Sequence, residues 1–103
     1  MEYFKSVNVK KTANIYFDGN VTSRTVEFSD GELKSLGIML PGEYRFNTAS
    51  AEIMEFFIGE FEVKFAGSSH FESMSAPCSF EVEANSYFDI KARSVLDYCC
   101  SYI

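Results

Sequence analysis

The segment PGEYRFNTASAEIMEFFIGEFEV, Pro41 to Val63, carries Gly42, Glu52 and Gly59 in a frame with six residues between Glu52 and Gly59. A lone carboxylate is a weak start for a metal centre, because a buried divalent ion needs three or four converging N/O donors to replace most of its water. The only histidine, His70, stands in the turn-rich segment GSSHFES and reads as a solvated side chain. The three cysteines, Cys78, Cys99 and Cys100, have no C-x-x-C spacing, and their odd number fits reduced, buried thiols better than a disulfide framework. Glu60, Glu62, Glu81 and Glu83 fall on the polar sides of apparent strands and read as solvated positions, not as an acid/base pair. Arg24, in Val21-Thr22-Ser23-Arg24-Thr25, is the cation best suited to anchor a phosphate, since a guanidinium forks onto an anion; the competing reading is a surface ion pair.

The elements that must hold these residues are strands. Phe80 and Val82 oppose Ser79, Glu81 and Glu83; Phe61, Val63 and Phe65 oppose Glu62 and Lys64; Phe88, Ile90 and Ala92 oppose Asp89 and Lys91. Leu96, Tyr98, Cys100 and Tyr102 line one face of a last strand, which sends Cys99 to the other. Turn signals separate the runs: Asp18-Gly19-Asn20, Asp30-Gly31, Pro41-Gly42, Ala66-Gly67-Ser68-Ser69 and Ala84-Asn85-Ser86. The one helix candidate, Ala49 to Met54, reads as a loop leading into a strand. Many short strands with such turns mean a sandwich or barrel, and closure of the sheet on itself is expected to remove its edges.

The 103 residues suit one domain, residues 1–103, and eleven Phe with six Tyr and no Trp favour strands over helices. A net charge of -6 argues against a nucleic acid polymer as partner, which needs clustered cations, but leaves room for a single bound phosphate. Neither a signal peptide nor a membrane-spanning run is expected, and the cytoplasm is the default location.

The Gly42, Glu52, Gly59 frame resembles the first signature of the cupins, in which a Gly is followed by a His-x-His pair, a Glu, six residues and a second Gly. Depending on the spacing, the pair falls on Phe46 and Thr48 or on Arg45 and Asn47, and Phe88 stands where a second signature read from Pro77 would bring its histidine. The resemblance implies an all-β, single-domain, RmlC-like jelly-roll barrel without the usual metal ligands.

Three further blocks narrow the resemblance. LGIMLPGEYRFNTASAEIMEFFIGEFEV, FEVEANSYFDIK and the closing YCCSYI are similar, in order and over nearly the whole chain, to the small pyrimidine/purine nucleoside phosphorylases, formerly a domain of unknown function. YFDGNVTSRTVEFSDGELKSLG matches one branch of that family. Glu83 replaces the family's usual Pro, and Ala66-Gly67-Ser68 its Pro-Gly-Ser turn; both departures touch loops.

The resemblance implies a broad-specificity enzyme that converts purine and pyrimidine nucleosides to free base and α-D-ribose 1-phosphate, with inorganic phosphate as co-substrate and no metal or other cofactor. It also implies a homodimer. Glu52 and Thr48 match the family motif and are the expected catalytic residues, Glu52 for ribose hydroxyls and positive charge at C1′, Thr48 as a donor to phosphate. Tyr44, Asn85 and Ser86 match as well and are expected to bind substrate together with Arg24, Tyr44 by stacking on the base. Two other readings of the residues stand beside this one: a non-catalytic small-molecule-binding barrel, and a metal-dependent cupin dioxygenase or isomerase. The apolar strand LDYCCSYI either covers a partner subunit or completes the barrel.

Overall fold

A computed structural model describes residues 2–103. Its strands are β1 (Asn8–Val9), β2 (Asn14–Tyr16), β3 (Val21–Glu27), β4 (Leu33–Met39), β5 (Gly42–Asn47), β6 (Glu52–Ile58), β7 (Glu60–Phe65), β8 (Glu72–Ser75), β9 (Cys78–Val82), β10 (Tyr87–Ala92) and β11 (Leu96–Tyr102), with one 3-10 turn at Phe17–Gly19. From β4 onward the antiparallel pairs are nested: β4 with β11, β5 with β10, β6 with β9, β7 with β8. A long hairpin folded over on itself in this way is a jelly roll. One sheet runs β1-β3-β4-β11-β6-β9, with β2 also on β3, and the other runs β5-β10-β7-β8.

The two sheets face each other without joining, which corrects the expected closure into one continuous barrel. Alternation tells which side chains point inward, but it does not tell which strands pair across the gap between sheets. The open edges are protected by other means. β8 spans four residues, and the edge strand β5 turns Glu43 and Arg45 outward.

Inward-facing side chains from both sheets form one core, with Phe56, Phe61, Phe88, Met39, Ile90 and Leu96 almost wholly buried. Each such side chain contributes about 1.5–3 kcal/mol by leaving water. Phe56 lies 4.3 Å from Phe61 and 5.7 Å from Phe80, ring centre to ring centre, and Phe80 meets Phe88 edge-on at 5.3 Å. Aromatics therefore fill the end of the sandwich where β6, β7 and β9 meet. At the other end, between β3, β4, β11 and β5, the filling is incomplete.

Gly59 alone links β6 to β7 and carries the chain from one sheet to the other with φ +112°; a Cβ there would lie 2.5 Å from the Val95 carbonyl oxygen. Only glycine fits this crossing. The strand β11 lies between β4 and β6 in the middle of its sheet, so LDYCCSYI completes the sandwich; its Tyr98 and Cys100 side chains are buried facing inward, and Tyr102 lines the same cavity while remaining 41% exposed.

Candidate active site

The unfilled end holds a cavity of ≈ 330 Å³ between the sheets. The wall from the smaller sheet is apolar, Phe46 and Phe88 with their rings stacked at 5.4 Å between centres, and Met39 and Met54 add apolar surface from β4 and β6 of the larger sheet. The facing wall is polar and comes from the inner side of the β3-β4-β11 sheet. Strand register places Ser23, Gly37 and Tyr98 in one row, and Thr25, Ser35 and Cys100 in the next.

Gly37 makes the first row possible. A Cβ at this position would sit 2.1 Å from the Thr22 carbonyl oxygen and 2.7 Å from the Tyr98 hydroxyl, so the phenol crosses the sheet over bare backbone. The Tyr98 hydroxyl donates a long bond of 3.4 Å to the Thr22 carbonyl. Asn14 Nδ2 donates to Ser23 Oγ and to Thr25 Oγ1, each at 3.3 Å. Ser35 Oγ and Tyr102 Oη share a bond of 3.1 Å. Ser23 and Ser35 are 5% and 3% exposed, unusual burial for hydroxyls in so apolar an interior.

Glu52, the first residue of β6, sits opposite Tyr102 and lines the cavity, and its Oε1 accepts from the Cys100 thiol at 3.4 Å. Burial raises the carboxyl above its ordinary value, and the Cys100 hydrogen bond opposes the rise. Burial likewise pushes Tyr102 up to about 12, against the Ser35 hydrogen bond, and raises Tyr98 against a hydrogen bond from Ser23. The Cys100 thiol is raised by burial and by the neighbouring Glu52 charge. At neutral pH these tyrosines and the cysteine are uncharged donors, and among the described residues Glu52 is the one carboxyl group that lines the cavity. Among the described residues no lysine, arginine or histidine lines the cavity.

As metal donors Glu52 and Cys100 are too few and mismatched for the three or four hard ligands a cupin ion needs, and the described residues contain no group of three His, Cys, Asp or Glu side chains able to hold a metal. His70 is exposed in its loop. A wider groove of ≈ 1010 Å³ crosses the outer face of the larger sheet past Phe4, Leu36 and Phe57, but no buried polar wall converges on it.

A family model described as pyrimidine/purine nucleoside phosphorylase matches residues 11–102. The chain belongs to the pyrimidine/purine nucleoside phosphorylase family. A pyrimidine/purine nucleoside phosphorylase of Sulfurimonas denitrificans is 57% identical over the whole of this chain and 99% of its own, and one of Syntrophotalea carbinolica is 54% identical over the same shares. The crystal structure of an Acinetobacter protein of unknown function superposes with a TM-score of 0.94 at 43% identity, covering 98% of each chain. An RmlC-like cupin of Shewanella frigidimarina matches with a TM-score of 0.70 at 14% identity, over 98% of this chain and 86% of its own, which shows the shared cupin fold. As a member of the nucleoside phosphorylase family the chain is an enzyme, and its substrates are to be sought among nucleosides and phosphate.

Of the six residues singled out in the sequence of this phosphorylase, the cavity is lined by Glu52 alone. The Thr48 hydroxyl donates to the Glu83 carbonyl at 2.6 Å and accepts from the Ser86 amide at 2.9 Å, so Thr48 and Ser86 brace the turn between β9 and β10. Asn85, in the same turn, is exposed with φ 55°, a left-handed conformation that asparagine tolerates. Tyr44 is buried beneath Phe17 and donates to the Leu40 carbonyl at 2.7 Å. Arg24 lies on the outer face of β3, in a depression lined by Val9, Leu36 and Ile38. The cavity-lining Ser23, Ser35, Tyr98, Cys100 and Tyr102 were not among the residues singled out. Their signal was available: serines at in-facing strand positions, and a terminal strand whose inner face carries two phenols and a thiol.

Proposed function

We propose that the cavity between the sheets carries out phosphorolysis of purine and pyrimidine nucleosides, yielding free base and α-D-ribose 1-phosphate, as a pentosyltransferase of broad specificity that needs no metal or organic cofactor. The observation that carries this reading is Glu52, a single half-buried carboxylate set between an aromatic wall and a hydroxyl wall in a cavity of ≈ 330 Å³. That volume lies at the small end of ligand pockets and suits a nucleoside, not a polymer. Phe46, half-buried and stacked on the fully buried Phe88, offers π surface to any base, which supports tolerance for both base classes.

The reaction breaks the C1′–N bond with its electron pair leaving on the base, while a phosphate oxygen forms the new bond to C1′. As the bond loosens the sugar becomes oxocarbenium-like, as in glycoside cleavage. An ionised Glu52 stabilises that charge and accepts ribose hydroxyls, and such fixed electrostatic groups are worth most in a site that excludes water. The departing base takes a proton from phosphate or from water at the cavity mouth. Cys100 holds the Glu52 carboxylate in place.

The protein is taken to be a cytoplasmic homodimer. The surface offered for pairing is the outer face of the larger sheet, where Leu36, Ile38 and Phe57 are 38%, 39% and 45% exposed; light scattering that returns a monomer mass retires the dimer. No helix among the described residues is long and apolar enough to cross a membrane. The activity is tested by incubating chelator-treated protein with a panel of nucleosides, with and without phosphate, and following base and pentose 1-phosphate by chromatography. Phosphate-dependent release is expected; folded protein that releases no base from any nucleoside leaves a binding barrel instead.

A further inference from the structure

A phosphorolytic site must hold a phosphate anion, yet among the described residues no cation lines the cavity, and the one guanidinium offered for that task, Arg24, projects from the opposite face of β3. Lys34 is spent elsewhere, 3.9 Å from Glu32 and above the rings of Phe4 and Phe28. What the cavity does contain is a set of hydroxyls on three adjacent strands. We propose that Ser23, Ser35, Tyr98 and Tyr102 form a cation-free cradle that binds inorganic phosphate through O–H donors. This rests on the phosphorolytic reading for its biological use, but not for its chemistry.

Each hydroxyl carries one proton, so the donors can be counted. Ser35 and Tyr102 share one bond, which uses one of their two protons, and the other has only the neighbouring Cys100 sulfur, a weak acceptor, to compete with a ligand. Ser23 Oγ already accepts from Asn14, which leaves its own proton free to point toward Tyr98 or into the cavity. The bond from Tyr98 to the Thr22 carbonyl is long at 3.4 Å, and an anionic oxygen is the stronger acceptor. With the Ser23 proton turned from Tyr98 into the cavity, three donors converge from one wall, which matches the several acceptor oxygens of phosphate. Burial keeps both phenols protonated well above neutral pH, so the donors persist throughout the working range. Neutral dipoles held in place by a sheet escape the cost of desolvating a buried guanidinium, and together they must offset the desolvation of the phosphate and its repulsion from an ionised Glu52 in the same cavity. Gly37 belongs to the cradle, because any side chain there would displace the Tyr98 hydroxyl.

The test uses the intact protein and inorganic phosphate as probe. Phosphate binding is followed by calorimetry or phosphorus NMR, and the Michaelis constants for phosphate and nucleoside are measured separately, in Tyr102→Phe, Tyr98→Phe and Arg24→Ala. Loss of a hydrogen bond to a charged ligand is expected to weaken phosphate about tenfold or more in each Tyr→Phe variant. The nucleoside constant should move less, and Arg24→Ala should behave as wild type. Should Tyr102→Phe fail to fold, Ser35→Ala removes the partner of the same bond and takes its place. Wild-type phosphate behaviour in both Tyr→Phe variants, or loss of phosphate in Arg24→Ala, overturns the cradle. Phosphate that binds and is lost in the variants, in a protein that cleaves no nucleoside, upholds the cradle and removes the phosphorolytic reading.

Discussion

Thr48→Val separates a turn brace from a phosphate ligand. Valine keeps the shape of the side chain and deletes an oxygen that makes two bonds, 2.6 Å to the Glu83 carbonyl and 2.9 Å from the Ser86 amide. Thr48 is 7% exposed, so water does not readily replace the lost partner. An orphaned buried donor or acceptor costs about 1–3 kcal/mol. Glu83 is exposed and Ser86 half-buried, so their freed groups recover part of that in solvent, and the cost should fall to about 1–2 kcal/mol. The backbone bond from the Thr48 amide to the Ser86 carbonyl, 2.9 Å, remains and keeps the turn attached. For a domain of this size the expected loss in melting temperature is about 5–15 °C. Phosphorolysis measured well below the melt should keep its turnover number and both Michaelis constants. Circular dichroism melts and steady-state kinetics on the same preparation decide the matter. An unchanged melting temperature together with a tenfold rise in the phosphate constant would refute the assignment of this hydroxyl to the turn.

Gly37→Ala places a Cβ 2.1 Å from backbone that cannot move without breaking the β3-β4 ladder, and should cost at least about 1–3 kcal/mol and weaken phosphate; a wild-type melt with wild-type phosphate kinetics contradicts the close approach. Glu52 bears on stability through pH. Its folded value is raised by burial, so between the unfolded value and the higher folded one the native state holds a proton that the unfolded chain has released. That contribution is complete below the unfolded value and disappears as pH rises through the folded one. Glu52→Gln should therefore melt no lower than wild type at neutral pH, and melts of both proteins from acid to neutral pH should diverge in that direction; a Gln variant less stable at neutral pH refutes it. Cys99 and Cys100 are buried and all three thiols are held in the protonated form by burial, so iodoacetamide should label native protein slowly and unfolded protein fully; fast native labelling of Cys100 would contradict its enclosure.

Much of the fold was legible because alternation reports facing directly. The in-and-out order of β7, β9 and β10 follows the pattern of Phe and Val against Glu and Lys, and Cys99 and Cys100 turn to opposite faces as two neighbours in a strand must. Pairing was less legible, since β4 meets β11 and β5 meets β10 across most of the chain, and no local signal distinguishes a closed barrel from two facing sheets. Of the six residues that the sequence offers for a site, only Glu52 lines the cavity. Thr48 and Tyr44 carry hydroxyls in a motif, but the main chain absorbs both, a fact that depends on where the turn at Glu83–Ser86 and the carbonyl of Leu40 fold back. The phenols of β11 were hidden for the opposite reason. In a strand as apolar as LDYCCSYI they read as packing, and only the missing side chain at Gly37 and the serines across the sheet make them a polar wall.

The most direct measurement is the phosphate-dependent rate of base release by wild type and by Glu52→Gln, assayed side by side with both proteins verified as folded. If the chemistry takes place in the cavity between the sheets, removing the one carboxylate that the described residues place in it should slow release about 10²–10³-fold while the melting temperature at neutral pH does not fall. A Glu52→Gln protein that releases base at the wild-type rate would place the reaction elsewhere on the molecule.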